Sequence, residues 1–265
     1  MEVKKEYHIE LLTPCFCHGA NRRHPELRVP SIRGQIRQWR CLRGGREASA
    51  MPLCWGDIKK DGQPLASKVS LELSHSSFSH HRKEPLLPHR PPKKEVLSEA
   101  IPSGVTLTLT IRRLVGCTDE IWQTAIRDVE TWLLFGCLGQ RANRAAGSVW
   151  CKDWDLGDDL QPVLSSLQIP ESWDIRLASV ASPEEGRRIA SDTVKRKDLF
   201  GTIKPRQPSP VKMKVVKLRS GYHLLLVGIG VSLDDALNAL TDRPKYPQNP
   251  WKKLKFRKIC LSNLY

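Results

Sequence analysis

The chain has 265 residues, 40% of them hydrophobic, enough for one large domain or two small ones around a true core. Lysine and arginine outnumber acidic residues 43 to 28, and the resulting charge of +15 and pI near 9.6 favour a polyanionic partner such as nucleic acid. No apolar run reaches spanning length and the N-terminus MEVKKEYHIE is charged, so neither a membrane helix nor a signal peptide is expected and the predicted location is the cytoplasm. An anionic membrane surface suits the sequence less, because its basic residues are scattered instead of gathered on one long amphipathic helix.

Tyr7 to Leu12 reads as the first strand, with Tyr7, Ile9 and Leu11 alternating against His8 and Glu10. A turn-rich stretch, TPCFCHGANRRHPELRVP, follows. Its Cys15, Cys17 and His18 have metal-ligating atoms but no partner at ligand spacing, and the eight cysteines include no CxxC pair. No metal or other cofactor is expected, and the cysteines read as reduced thiols, several of them in the core.

The segment PSIRGQIRQWRCLRGG, residues 30–45, predicts a helix with Ser31 as N-cap and an end at Gly44-Gly45. Ile32, Ile36 and Trp39 recur at i, i+4 and i+7, a core-facing stripe. Arg33, Arg37 and Arg40 repeat that spacing one residue later, at the edge between buried face and solvent. Such arginines either snorkel over apolar surface or offer donors to phosphates. Their density favours the second role. Arg22, Arg23, Arg28, Arg33, Arg37, Arg40, Arg43 and Arg46 are opposed only by Glu26 before Glu47. Gly34 is a weak helix former, which fits close approach of a backbone or a phosphate to the first turn.

KVSLELS and VTLTLTIRR read as the next two strands, the latter alternating Val105, Leu107, Leu109 and Ile111 against threonines. Between them, residues 75–104 are too long for a plain turn and read as either a nucleic-acid-contacting arm or a disordered loop. A helix is predicted from Asp119 to Phe135, stopped by Gly136, with Trp122, Ala125, Ile126, Val129, Trp132 and Leu133 on one face. The glycine- and arginine-rich loop FGCLGQRANRAAGSVW comes next, and a short strand runs from Ser148 to Cys151. Gly139 and Gly147 permit close backbone approach, while Arg141 and Arg144 supply charged donors for phosphate oxygens. The same composition also suits an ordinary turn.

This order is βαββαβ, the ferredoxin-like unit. The second half repeats it, with strands near 174–180, 211–218, 222–229 and 256–261 and helices near 183–194 and 233–240. The predicted class is α+β: two ferredoxin-like (RRM-like) domains in tandem with long inserted loops, an N-terminal one over 1–155 and a C-terminal one over 172–265. The intervening DLGDDLQPVLSSLQIPES marks the boundary. Threonines and Arg112 on the exposed side of the third strand argue against the stacking mode of RRM domains, so binding is expected through loops and the helix edge.

For catalysis, His18, His24, His75, His80, His81 and His89 are available for metal-independent RNA cleavage, but no motif pairs them. HExxH, GxSxG and P-loop motifs are absent, and Asp57, Asp61, Asp158 and Asp159 read as loop residues. No catalytic residue is assigned.

The strand ending in LTP, the HGAN loop and PELRVPSIRGQIRQWRCL together resemble the N-terminal signature of the RAMP superfamily of CRISPR type III effector proteins, nearest the family of the first subunit of the Cmr (type III-B) complex. GCLGQRANRAAGSV resembles that family's G-x-x-G-x-R-x-x-R-x-x-G-S loop, and SPVKMKVVKLRSGYHLLLVGI its later strand pair. The chain is short for the family, and Gln38-Trp39 stands where a pair of aromatics is usual. The resemblance implies two fused ferredoxin-like domains and a non-catalytic role. It places the protein at one end of a guide-RNA ribonucleoprotein in antiviral defence, near the 3′ end of the guide, with guide RNA, target RNA and other RAMP subunits as partners. It points to Ser31, Arg33, Arg37, Trp39, Arg40, Gly139, Arg141, Arg144, Gly147 and Ser148 as site residues, beside Arg22 and Arg23 of the basic loop. A histidine-dependent endoribonuclease that processes CRISPR RNA, and a general RNA-binding protein, remain the alternatives.

Overall fold

The computed structural model describes residues 2–19, 21, 24–44, 54–58, 61–75, 81–202, 207–243 and 248–261. Strand β1 (Lys4–Leu11) buries Tyr7, Ile9 and Leu11 as its alternation predicts. Helix α1 (Val29–Gly44) buries Ile32, Ile36 and Trp39, but it begins before the expected N-cap. Pro30 fits the first turn, where its fixed φ suits the helix and its missing N–H is no loss. The N–H groups of Ser31 and Ile32 both reach the Arg28 carbonyl, so Ser31 lies inside the helix, exposed, and does not cap it.

A small hairpin of β2 (Asp57–Ile58) and β3 (Pro64–Leu65) precedes β4 (Val69–His75). The expected arm or disordered loop is a second hairpin, β5 (Arg82–Pro85) with β6 (Leu97–Ala100); residues 76–80 lie outside the described residues. Ile101 and Cys15 exchange backbone hydrogen bonds of 2.9 Å in both directions, which ties the hairpin to the loop after β1. The burial of Ala100 against Phe16 adds an apolar anchor that composition did not reveal. Strand β7 (Thr106–Arg113), helix α2 (Asp119–Phe135) and strand β8 (Val149–Cys151) follow. Thr118 caps α2 by accepting from the Ile121 N–H.

In the second half, the expected boundary segment contains α3 (Gln161–Ser166). Leu160, Leu164, Leu167 and Ile169 are at most 1% exposed, so this polar-looking stretch joins the core. The remaining elements are β9 (Trp173–Ser179), α4 (Pro183–Ser191), α5 (Lys197–Phe200), β10 (Val211–Leu218), β11 (Gly221–Ile229), α6 (Leu233–Thr241) and β12 (Arg257–Ile259).

The protein is mixed α and β, and its two larger sheets are antiparallel. Their orders are β4-β7-β1-β8 and β10-β11-β9-β12, which within each half read second, third, first, fourth. One hydrophobic cluster runs through both sheets. Trp173 of β9 meets Trp39 of α1 at 5.8 Å and Phe135 of α2 at 5.5 Å between ring centroids. Across the same seam Lys214 of β10, 1% exposed, donates to the Leu133 carbonyl, and burial pushes its ammonium pKa down to about 7.

Candidate nucleic-acid interface

Helix α1 divides its arginines by position. Arg33 and Arg37 sit half-buried on the edge beside the apolar stripe. Arg33 makes no side-chain hydrogen bond or ion pair among the described residues, and its buried Nε lacks an acceptor. Arg37 has, among the described residues, only a loose contact, 3.6 Å from the Asp57 carboxylate. Gly34, between them, has no atom of the described residues within 4 Å of where a Cβ would stand. The expected approach of a backbone is therefore not met by the protein itself, and the first turn is open on that side.

Farther along, the arginines turn inward. Arg43 donates to Asp128 at 2.5 Å, to the Thr131 hydroxyl at 2.6 Å and to the carbonyls of Arg127 and Leu167. The Trp55 indole donates to the other Asp128 oxygen at 2.9 Å, and Arg40 lies 3.6 Å from the carboxylate with a side chain 13% exposed. Burial raises the Asp128 pKa against the pull of Arg43, and burial lowers Arg43 to about 10. Arg40 is thus part of an internal ion cluster and not of an open row. The sequence held a signal for this: position 43 continues the buried stripe 32, 36, 39 by one more helical step, and position 128 falls on the buried face of α2.

The glycine loop shows the same division. With φ of 80° and 64°, Gly139 and Gly147 adopt left-handed backbone. A Cβ would stand 2.6 Å from the Phe16 carbonyl at Gly139 and 2.1 Å from the Leu138 carbonyl at Gly147. What these glycines admit is the chain's own backbone, as the Gln140 N–H donating to the Phe16 carbonyl at 2.9 Å shows. Arg144, expected as a phosphate donor, is 7% exposed and bonds the Phe200 carbonyl at 2.9 Å while its guanidinium lies over the Phe200 ring. Burial pushes its pKa down to about 10. Ser148 is wholly buried; it donates to the Ala145 carbonyl at 3.0 Å and accepts from the Val215 N–H at 3.1 Å, joining the two sheets. Arg141 differs. It is half-buried in left-handed backbone (φ 61°), and its side chain makes no hydrogen bond or ion pair among the described residues. Arg22 and Arg23 lie outside the described residues.

Among the described residues the histidines are spread over several places, with one ring pair. His18 bridges backbone with Pro25, His24 meets the His81 ring edge-on at 5.2 Å, and His89 shares a 2.9 Å hydrogen bond with the Ser191 hydroxyl. His80 lies outside the described residues. The structure instead pairs His8, which sequence reasoning passed over, with Asp153: one carboxylate oxygen accepts from the His8 N–H at 2.8 Å and the other lies 2.9 Å from Nδ1. These residues are 145 positions apart and come together only through the β1–β8 pairing. Among the described residues no cluster of three or more histidine, cysteine or carboxylate side chains is placed to hold a metal, and no helix is long and apolar enough to cross a membrane.

No protein-family model matches the chain, and no curated protein matches it in sequence. Solved structures do match in fold. A chain of the Type III-B Cmr-beta complex bound to cognate target RNA aligns with a TM-score of 0.54 at 11% identity, covering 86% of this chain and 94% of that one. The same complex with target RNA and AMPPnP, in the presence of single-stranded DNA, gives 0.53 at 10% identity over 85% and 94%. A chain of a Type IV-B CRISPR complex aligns over 56% of this chain and 89% of that one, with a TM-score of 0.44 at 13% identity.

Proposed function

We propose that the protein is a non-catalytic RNA-binding subunit of a type III CRISPR effector ribonucleoprotein, made of two ferredoxin-like units that meet around residues 155–172. In this reading it caps one end of the assembly beside other RAMP subunits, in contact with the 3′ end of the guide, the target RNA or both. The Cmr-type fold likeness supports the class of assembly, and the surplus of 15 positive charges supports the class of ligand. The observation that carries RNA contact is the pair Arg33 and Arg37: two half-buried guanidiniums on one helix edge with a glycine between them, whose one carboxylate contact among the described residues is the 3.6 Å approach of Asp57 to Arg37.

The test is binding of single-stranded RNA to the purified protein over a range of salt. Arg33→Ala with Arg37→Ala weakens binding across sequences and lowers the log–log salt slope by about 0.7 for each phosphate no longer neutralised. An unchanged slope in the folded double variant assigns these arginines to packing. The second reading, metal-independent endoribonuclease activity, is favoured by the Asp153-oriented His8. It requires RNA cleavage in the presence of EDTA that His8→Ala abolishes.

A further inference from the structure

We infer that the turn of the β5–β6 hairpin, the glycine loop and helix α4 converge on a phosphate site, in which Arg90 and Arg141 grip one phosphate group of an RNA strand. This rests on the RNA-binding reading above and places a second point of RNA attachment away from α1. Three links bring the elements together. Arg187 of α4 donates to the Pro85 carbonyl at the end of β5. Its guanidinium lies 5.0 Å above the Phe16 ring, and the Phe16 carbonyl accepts from Gln140, the residue before Arg141. His89, beside Arg90, shares its hydrogen bond with Ser191 of the same helix.

The charges at this convergence do not balance. Arg90 and Arg141 form no side-chain hydrogen bond or ion pair among the described residues, and the buried Nε atoms of Arg141 and Arg187 have no acceptor. Of the carboxylates at this convergence, Asp192 accepts from Arg243 at 2.8 Å through one oxygen while its other oxygen is buried without a partner among the described residues, and Glu84 and Glu184 attract Arg187. Burial, and after it the charge of Arg90, lower the Arg141 pKa. Left-handed backbone at a non-glycine residue adds local strain, a feature that gathers at ligand-binding positions. An oxyanion between the two arginines would remove their repulsion and complete their hydrogen bonds, and the planar guanidinium fork matches phosphate oxygens. The converging groups are mainly cationic donors, which suits a phosphate and not the edge of a base. Pro91 and Pro92 stiffen the chain after Arg90, and the Arg90 N–H bonds the Leu87 carbonyl at 3.0 Å, so the donor is presented on a held turn.

Arg90→Ala, Arg141→Ala and the double variant are tested for binding to a single-stranded RNA against salt, beside the Arg33/Arg37 double variant. Each single change lowers affinity several-fold. Because both arginines serve one phosphate, the double lowers the salt slope by about 0.7, the value for one phosphate and not two. Arg141→Lys, which keeps the charge but loses the fork, recovers part of the affinity. Without RNA, the thermal midpoint of Arg90→Ala is unchanged or higher, since a repulsion has been removed. Wild-type affinity and slope in a folded Arg90/Arg141 double variant, with the Arg33/Arg37 variant impaired, overturn the site and leave the RNA-binding reading standing. A lower midpoint with unchanged RNA binding makes these arginines structural and also overturns it. If the wild-type protein binds no RNA, both readings fall.

Discussion

Arg141 and Arg144 lie three residues apart in one glycine-rich loop, yet they have opposite surroundings. Arg144 is buried over Phe200 with carbonyl acceptors around it; Arg141 is half-exposed, in strained backbone, and unpaired among the described residues. Helix α1 repeats the contrast within one element, Arg40 and Arg43 turning to Asp128 while Arg33 and Arg37 remain at the edge. A basic sequence motif therefore mixes two populations. One population holds elements together by saturating buried carbonyls and a carboxylate, and the other leaves donors unfilled at the surface. Only the second can add a polyanion without first breaking the fold.

Substitutions sharpen this contrast in order of size. Asp128→Asn leaves Arg43 buried without its counter-charge and is expected to cost about 3–5 kcal/mol in urea unfolding. Gly147→Ala places a Cβ against the Leu138 carbonyl in left-handed backbone and costs about 1–3 kcal/mol or more by the same measurement. Arg144→Ala costs about 2 kcal/mol, because the Phe200 carbonyl loses a charged donor, and leaves RNA affinity unchanged in the folded fraction. Arg33→Ala with Arg37→Ala stays within about 0.5 kcal/mol of wild type in stability and lowers RNA affinity instead. An equal loss of stability and no loss of affinity in that pair would erase the distinction between the two populations.

The buried lysine at the seam gives a pH test of the same electrostatics. The folded-state pKa of Lys214, about 7, is below that of a lysine in the unfolded chain, so between these values the unfolded state binds the extra proton. Stability therefore rises with pH from 7 toward about 8.5, where ionisation of thiols in the unfolded chain begins to oppose it. Lys214→Met flattens this rise. A slope that is identical in the variant would show that another group supplies it.

Where the signal was periodic, the sequence was readable. The threonine–aliphatic alternation of β7, the six-residue apolar face of α2 and the β10–β11 pair all appear where the pattern puts them, within a residue. Residues 75–104 were not readable as a hairpin, because Pro85, Pro88, Pro91 and Pro92 interrupt any strand pattern and the anchoring partner, Cys15, is far away in sequence. The polar-looking boundary segment hid its spacing of Leu160, Leu164 and Leu167, a helical face beneath acidic composition. In the candidate site, the arginine-rich segments were evident, but the division within them was not. That division depends on Asp128, Phe16 and Phe200, which come from other elements and leave no local trace.

In the proposed function the unfilled arginines serve a CRISPR ribonucleoprotein. The most direct measurement is affinity purification of the tagged protein from its native host, with sequencing of the co-purified RNA and identification of the co-purified proteins. Short CRISPR-derived RNAs together with other RAMP subunits are the predicted result. Ribosomal RNA, or no RNA at all, would contradict the account.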